Sequence, residues 1–259
     1  MALKPRVCVV NYLNTVPLVW GMLHGEQRDL FDLSFCIPSE CADRLQDGRA
    51  DIGIVPVIEV ARQNLVITGD TAITCRGPVR SILLISKVPF NEIRTLAADC
   101  SSRTSVVLSQ VVLARRYGLL PIMKSRPPDL QAMLHDCDAA LIIGDPALLI
   151  EPADLPYQVL DLCEAWTEMT KLPMVFAVWA GHKRYDPAPF RASLEFGLQH
   201  LEDIVASEHA NRGISPELAR DYLTHHIQFD LGHDQQTGMK RFLEYAAALH
   251  ETEERVIIA

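Results

Sequence analysis

Over residues 7–86, apolar runs of strand length alternate with helical patterns, and this alternation limits the fold more than any single motif. Residues 7–10 read as a strand and 15–24 as a helix, with Pro17 tolerated in its first turn. Residues 32–37 form a second strand. Ser39 is expected to cap a helix that runs to Asp47 and is closed by Gly48. Residues 51–55 form a third strand, followed at once by Pro56, and 65–68 and 81–86 are further strands. A β-α-β-α-β order predicts an α/β domain with a mainly parallel sheet and helices on both faces.

The alternation continues in a second unit from about Lys87. Strands are predicted over 95–98, 122–125 and 139–143, and helices over 104–117, 128–135 and 161–170. A strand over 174–180 is placed to return the chain to the first unit. After Pro187 the pattern is helical, over 190–208, 216–226 and 235–254, with Leu194, Leu198, Leu201 and Val205 at helical spacing. The simplest arrangement is a discontinuous first lobe, 1–86 plus 178–259, with 87–177 inserted as a second lobe.

The formal net charge of −9 argues against a nucleic-acid partner, which needs clustered cations, but leaves room for a local anion site. The N-terminus reaches an apolar run of only four residues, short of a secretory signal, and no stretch approaches the roughly 20 residues of a membrane span. A soluble cytoplasmic protein without a membrane partner is expected. The seven cysteines have no C-x-x-C pair and are expected as buried, reduced thiols with no metal. Phosphate-loop, dinucleotide-binding and nucleophilic-serine motifs are absent. His226 and Asp230 have metal-ligand spacing, but a solvated helix end explains them better.

Ligands of open α/β sheets bind beyond the C-terminal ends of the strands. Four segments fall there. In the first, Asn14 and Thr15 either cap a helix or present amide and hydroxyl groups to a ligand. In the second, Ser101, Ser102, Arg103 and Thr104 precede a helix whose N-terminus attracts a carboxylate. In the third, Gly144 and Asp145 end an apolar strand, with Asp145 a cap or a ligand contact. In the fourth, Arg80 and Ser81 lead into a strand, with Arg80 a ligand contact or half of a surface ion pair.

The run YLNTVPL at 12–18 resembles a signature of the menaquinone-biosynthesis family of chorismate dehydratases. The likeness continues through DGRADIGIVP at 47–56, GPVRS at 77–81, SSRTS at 101–105, LIIGDPA at 141–147 and LPMVFAVW at 172–179, in order along most of the chain. The resemblance implies a two-lobed, periplasmic-binding-protein-like fold of type 2 with mixed, mainly parallel sheets and a helical C-terminal region. It implies a hydro-lyase that opens the futalosine route to menaquinone by converting chorismate to 3-[(1-carboxyvinyl)oxy]benzoate without a cofactor. It marks Asn14 as the key residue, and it assigns Thr15, Pro56, Arg80, Ser81, Ser102, Arg103, Thr104, Gly144 and Asp145 to substrate binding. The base is then either Asp145 or the substrate's own side-chain carboxylate. Rival readings are a cytoplasmic solute-binding protein for a small anion, and the sister enzyme acting on cyclic dehypoxanthine futalosine. The sequence specifies no oligomeric state.

Overall fold

The computed structural model describes residues 4–258, which divide into two compact units. The first begins with β1 (Arg6–Val10), a short 3-10 turn (Leu13–Thr15), α1 (Val16–His24), β2 (Asp32–Cys36), α2 (Pro38–Gln46), β3 (Ile52–Pro56), α3 (Val57–Arg62) and β4 (Val66–Cys75). The chain then enters the second unit through β5 (Ile82–Ser86), β6 (Thr95–Asp99), α4 (Thr104–Tyr117), β7 (Ile122–Arg126), α5 (Leu130–Asp136), β8 (Ala139–Ile143), α6 (Asp145–Leu148), β9 (Gln158–Asp161) and α7 (Leu162–Thr170). It returns to the first unit with β10 (Met174–Gly181), α8 (Ala188–Gln199), α9 (Leu201–Glu208), α10 (Pro216–Asp221), a π-helical turn (Tyr222–His226) and β11 (Gln228–Asp230). The last helix, α11 (His233–Ile258), is grouped with the second unit.

Both sheets are mixed. The first has the order β11-β4-β10-β3-β1-β2, with β1 parallel to β2 and β3, and β10 antiparallel to β3. The second has the order β7-β6-β8-β5-β9, with β6 parallel to β7 and β8, and β5 antiparallel to β8 and β9. Antiparallel pairs are therefore as prominent as the expected parallel ones. The central strands β1, β3, β8 and β10 are apolar and buried almost throughout, as strands covered on both faces must be.

Two segments fall outside the lobe boundaries read from the sequence. Residues 82–86 pair with β8 and β9, so they belong with the second unit, which starts at Arg76. The helix from His233 also groups there, so the described residues of the first unit are 4–75 and 175–232. Ser39 is not a cap: α2 starts one residue earlier, with Pro38 supplying the preset φ of its first turn and Ile37 as the boundary residue. The helix expected over 190–208 breaks at His200, whose backbone leaves the helical region.

In the first unit α1 and α8 approach closely because small residues face each other. A Cβ on Gly21 would lie 2.6 Å from Ser193 Cα, and one on Gly197 would collide with the Pro17 carbonyl. Ser193 Oγ also accepts a hydrogen bond from the Met22 backbone N–H at 3.1 Å. This contact fixes the helix that begins two residues after Asn14.

Cys8, Cys36, Cys41, Cys100 and Cys137 are free thiols, whereas Cys75 and Cys163 are disulfide-bonded, against the expectation of seven reduced cysteines.

Candidate functional site

In the first unit, the turn after β1 carries Asn14. The Asn14 Nδ2 amide donates to the Tyr222 hydroxyl at 3.0 Å, and Thr15 Oγ1 donates to Asn14 Oδ1 at 3.2 Å. Tyr222 is 1% exposed and Thr15 is also buried, so both ends of the amide are held by groups that solvent does not reach. Neither Asn14 nor Thr15 caps a helix through its side chain: the 3-10 turn and α1 both lack a side-chain cap. The simple alternative of capping therefore fails, and the fixed amide is left without a backbone role.

Pro56 closes β3 and is buried. Because Val7 pairs with Ile52 and Cys8 with Gly53, the same register places Pro56 level with Asn11 at the C-terminal edge of the sheet. The Asn11 carbonyl accepts from Arg212 Nη1 at 3.5 Å, and its N–H donates to the Cys36 carbonyl at 2.9 Å. The turn that presents Asn14 is thus anchored on both sides.

In the second unit three of the four segments converge on one sheet edge. Asp99, the last residue of β6, receives the Ser101 N–H and hydroxyl on Oδ1 at 2.9 and 2.7 Å, and the Ile143 N–H on Oδ2 at 3.3 Å. Burial raises its pKa, although the hydrogen bonds from Ser101 and Ile143 pull the other way. One carboxylate therefore locks the loop before α4 to the end of β8. Ser102 Oγ accepts the Ser105 N–H at 3.2 Å, and Ser102, Thr104 and Ser105 are all buried around the start of the 14-residue helix α4. Arg103 is the boundary residue of that helix and is half-buried.

The Gly144 N–H donates to the Ser81 carbonyl at 2.8 Å, which brings the buried Ser81 beside the end of β8. Gly144 has φ 65° and ψ −146°, a region open essentially to glycine alone. Asp145 does not cap α6; Gly144 is the boundary residue, and Asp145 occupies the first helical position.

Arg80 is placed differently. Its guanidinium donates to the Ile150 carbonyl at 3.2 Å and to Glu151 Oε2 at 3.0 Å, the ion-pair alternative read from the sequence. Its backbone N–H and that of Val79 donate to Asp161 Oδ2, while Asp161 Oδ1 accepts from Cys163 and Glu164. His225 and His226 both contact Asp221, and among the described residues His226 and Asp230 do not belong to a group of three metal-ligating side chains.

Three supporting residues had no role assigned from the sequence, although Asp99 opens the second candidate segment and Asp161 the helix predicted over 161–170. Tyr222 lies 208 positions from its partner, and no local pattern announces the pair. Asp99 stands directly before the hydroxyl-rich loop, where its side chain was a readable signal. Asp161 precedes a helix that it caps with two N–H contacts.

A family model described as menaquinone biosynthesis matches residues 5–248. A chorismate dehydratase of Thermus thermophilus is 28% identical over 257 residues, covering 90% of this chain and 92% of that protein. One from Campylobacter jejuni is 26% identical over 252 residues, covering 93% and 97%. Among solved structures, a protein from Archaeoglobus fulgidus superposes with a TM-score of 0.76 at 17% identity, covering 95% of this chain and 98% of the other. The periplasmic aliphatic sulphonate binding protein SsuA from Escherichia coli gives 0.63 at 15% identity, covering 96% and 87%. These likenesses show a periplasmic-binding-protein-like fold. No helix among the described residues is long and apolar enough to cross a membrane.

Proposed function

Because the chain belongs to the menaquinone-biosynthesis family matched over residues 5–248, we propose that it removes water from chorismate to give 3-[(1-carboxyvinyl)oxy]benzoate. The observation that carries this reading is the Asn14 amide, fixed by Tyr222 and Thr15 yet capping no helix. Its preset orientation suits a group that acts on substrate, because a donor already in place costs no reorganisation at the moment of reaction.

The substrate carries two carboxylates, and the second unit offers matching donors. Ser102, Arg103 and Thr104 gather at the N-terminus of α4, where the positive end of the helix dipole favours an anion. The reaction breaks the ring C–H bond beside the enol ether, and its electron pair becomes the new ring double bond. Charge moves toward the ring carboxylate, the neighbouring hydroxyl leaves with a proton as water, and the ring becomes aromatic. The step is redox-neutral and calls for no cofactor. Asn14 orients the substrate's side-chain carboxylate, which takes the ring proton, or assists departure of the hydroxyl. Asp145, on α6 at the end of β8, is the alternative base.

Conversion of chorismate to an aromatic product tests the reading directly. Asn14→Ala is expected to lower kcat by about 10²-fold or more with folding intact by circular dichroism; near-wild-type kcat would sink the role of Asn14. Arg103→Ala is expected to raise KM about tenfold or more, the scale of a charged hydrogen bond. Retained affinity removes that side chain from the carboxylate site. The likeness to a sulphonate-binding protein favours a second reading, a carrier that binds without chemistry, and binding of chorismate without turnover would establish it.

A further inference from the structure

The proposed reaction uses none of three cysteines that meet inside the first unit. Cys8 lies in the middle of β1, Cys36 ends β2 and Cys41 sits on α2. Cys8 pairs in register with Ser34, and Val10 with Cys36, so Cys8 and Cys36 point to the same face of the sheet. The helix α2 lies against β1 and β3 and brings Cys41 to that face. The three Sγ atoms form a nearly equilateral triangle, with separations of 3.0, 3.0 and 3.1 Å. Cys8 and Cys41 are 0% exposed and Cys36 is 8% exposed.

We propose that Cys8, Cys36 and Cys41 form a structural three-thiolate site for a soft, thiophilic metal ion of the Zn(II) or Cu(I) class. Thiolate ligands select such ions, and hard oxygen-seeking cations find no partners in an all-sulfur set. Three equal separations suit one shared central atom. A disulfide would join two sulfurs and leave the third aside. Metal–sulfur bonds of about 2.3 Å set tetrahedral sulfurs about 3.8 Å apart, so each Sγ moves outward by about 0.4 Å to admit the ion. Binding replaces S–H bonds by metal–sulfur bonds and releases the protons to solvent, with no change of oxidation state.

The site stands directly behind the turn that presents Asn14, since the Cys36 carbonyl accepts the Asn11 N–H at 2.9 Å. An ion there would brace that turn, a role independent of which reaction Asn14 serves.

The test uses the full-length, reduced protein under anaerobic conditions. Equimolar Zn(II) or Cu(I) is added, the protein is desalted, and retained metal and reactive thiols are counted. Retention of one equivalent of either ion per chain, with three thiols protected, is the expected result. The ion that is retained identifies the source. Cys8→Ser and Cys41→Ser are each expected to abolish stoichiometric retention, and Cys137→Ser, at a buried thiol of the second unit, to leave it intact. Should the core variants fail to fold, Co(II) titration of the wild type serves instead, with thiolate-to-metal charge-transfer absorption saturating at one equivalent. No retention of either ion by the reduced wild type overturns the proposal, as does retention unaffected by Cys8→Ser or, where the variants fail to fold and Zn(II) is the ion retained, the lack of a saturable charge-transfer band. A mass loss of two hydrogens between two of these cysteines in a protein that never retains metal overturns it in favour of a redox pair.

Discussion

Asn14 reacts to its surroundings through two hydrogen bonds, and each can be removed singly. Tyr222→Phe keeps the buried ring and deletes only the hydroxyl that accepts from Asn14 Nδ2. A net hydrogen bond is worth about 0.5–1.5 kcal/mol, so kcat is expected to fall roughly 3- to 10-fold. KM should stay near wild type, as expected of a residue that acts through Asn14. Unchanged kcat would deny that positioning role. Thr15→Val acts on the other end of the same amide, so the double variant should be non-additive in steady-state kinetics. Asn14 was legible in the sequence as a polar residue at a strand-to-helix turn, and the ordered motifs singled it out. Tyr222 was not legible, because a hydrogen bond spanning 208 residues leaves no mark in local composition. Arg80 shows the reverse: its residue type suited a ligand, but Glu151 and the Ile150 carbonyl claim its guanidinium.

Between elements, packing decides where these residues stand. Gly197→Ala drives a methyl group into the Pro17 carbonyl across the α1–α8 contact. Overpacking of this kind costs about 2 kcal/mol, or roughly 4–8 °C in Tm for a chain of this size. The loss is read by thermal unfolding, and an unchanged Tm would show that the helices separate freely. Asp138 supplies a second tie: its Oδ2 accepts from the Arg94 N–H at 3.0 Å and from the Thr95 N–H and hydroxyl at 2.9 and 3.0 Å, joining the starts of β6 and β8. Partial burial works against the charge, but these hydrogen bonds outweigh it and hold the pKa below the usual 3.8. A depressed folded-state pKa stabilises above the unfolded value and is lost as pH falls through the folded one. Asp138→Ala should therefore destabilise by about 1 kcal/mol at pH 7, with the difference shrinking below about pH 4, as followed by denaturant melts across pH. The helix 104–117 was readable to the residue, with Gly118 left-handed at its end. The strands β9 and β11 were missed because they are short edge strands of four and three residues without a clean apolar alternation.

At the scale of the molecule, binding and chemistry can be separated by linkage. A ligand at 100 times its Kd stabilises the native state by about 2.7 kcal/mol. The aromatic product should raise the Tm of the wild type, and it should raise that of Asn14→Ala nearly as much if Asn14 acts in the reaction and the anion donors near α4 provide most of the binding. A lost shift in Asn14→Ala would make Asn14 a binding residue first. The sheet order has another consequence, one of timing. Strand β10 lies between β3 and β4, so the first sheet cannot close until residue 181 has been made, whereas every strand of the second sheet is contained within residues 82–161. Ribosomes add about 5–20 residues per second, so Asn14 waits roughly 10–40 s for Tyr222 to be synthesised. The middle of the chain can therefore assemble its sheet while both ends of the first are still apart, and the nascent protein should gain protease resistance in its second unit first.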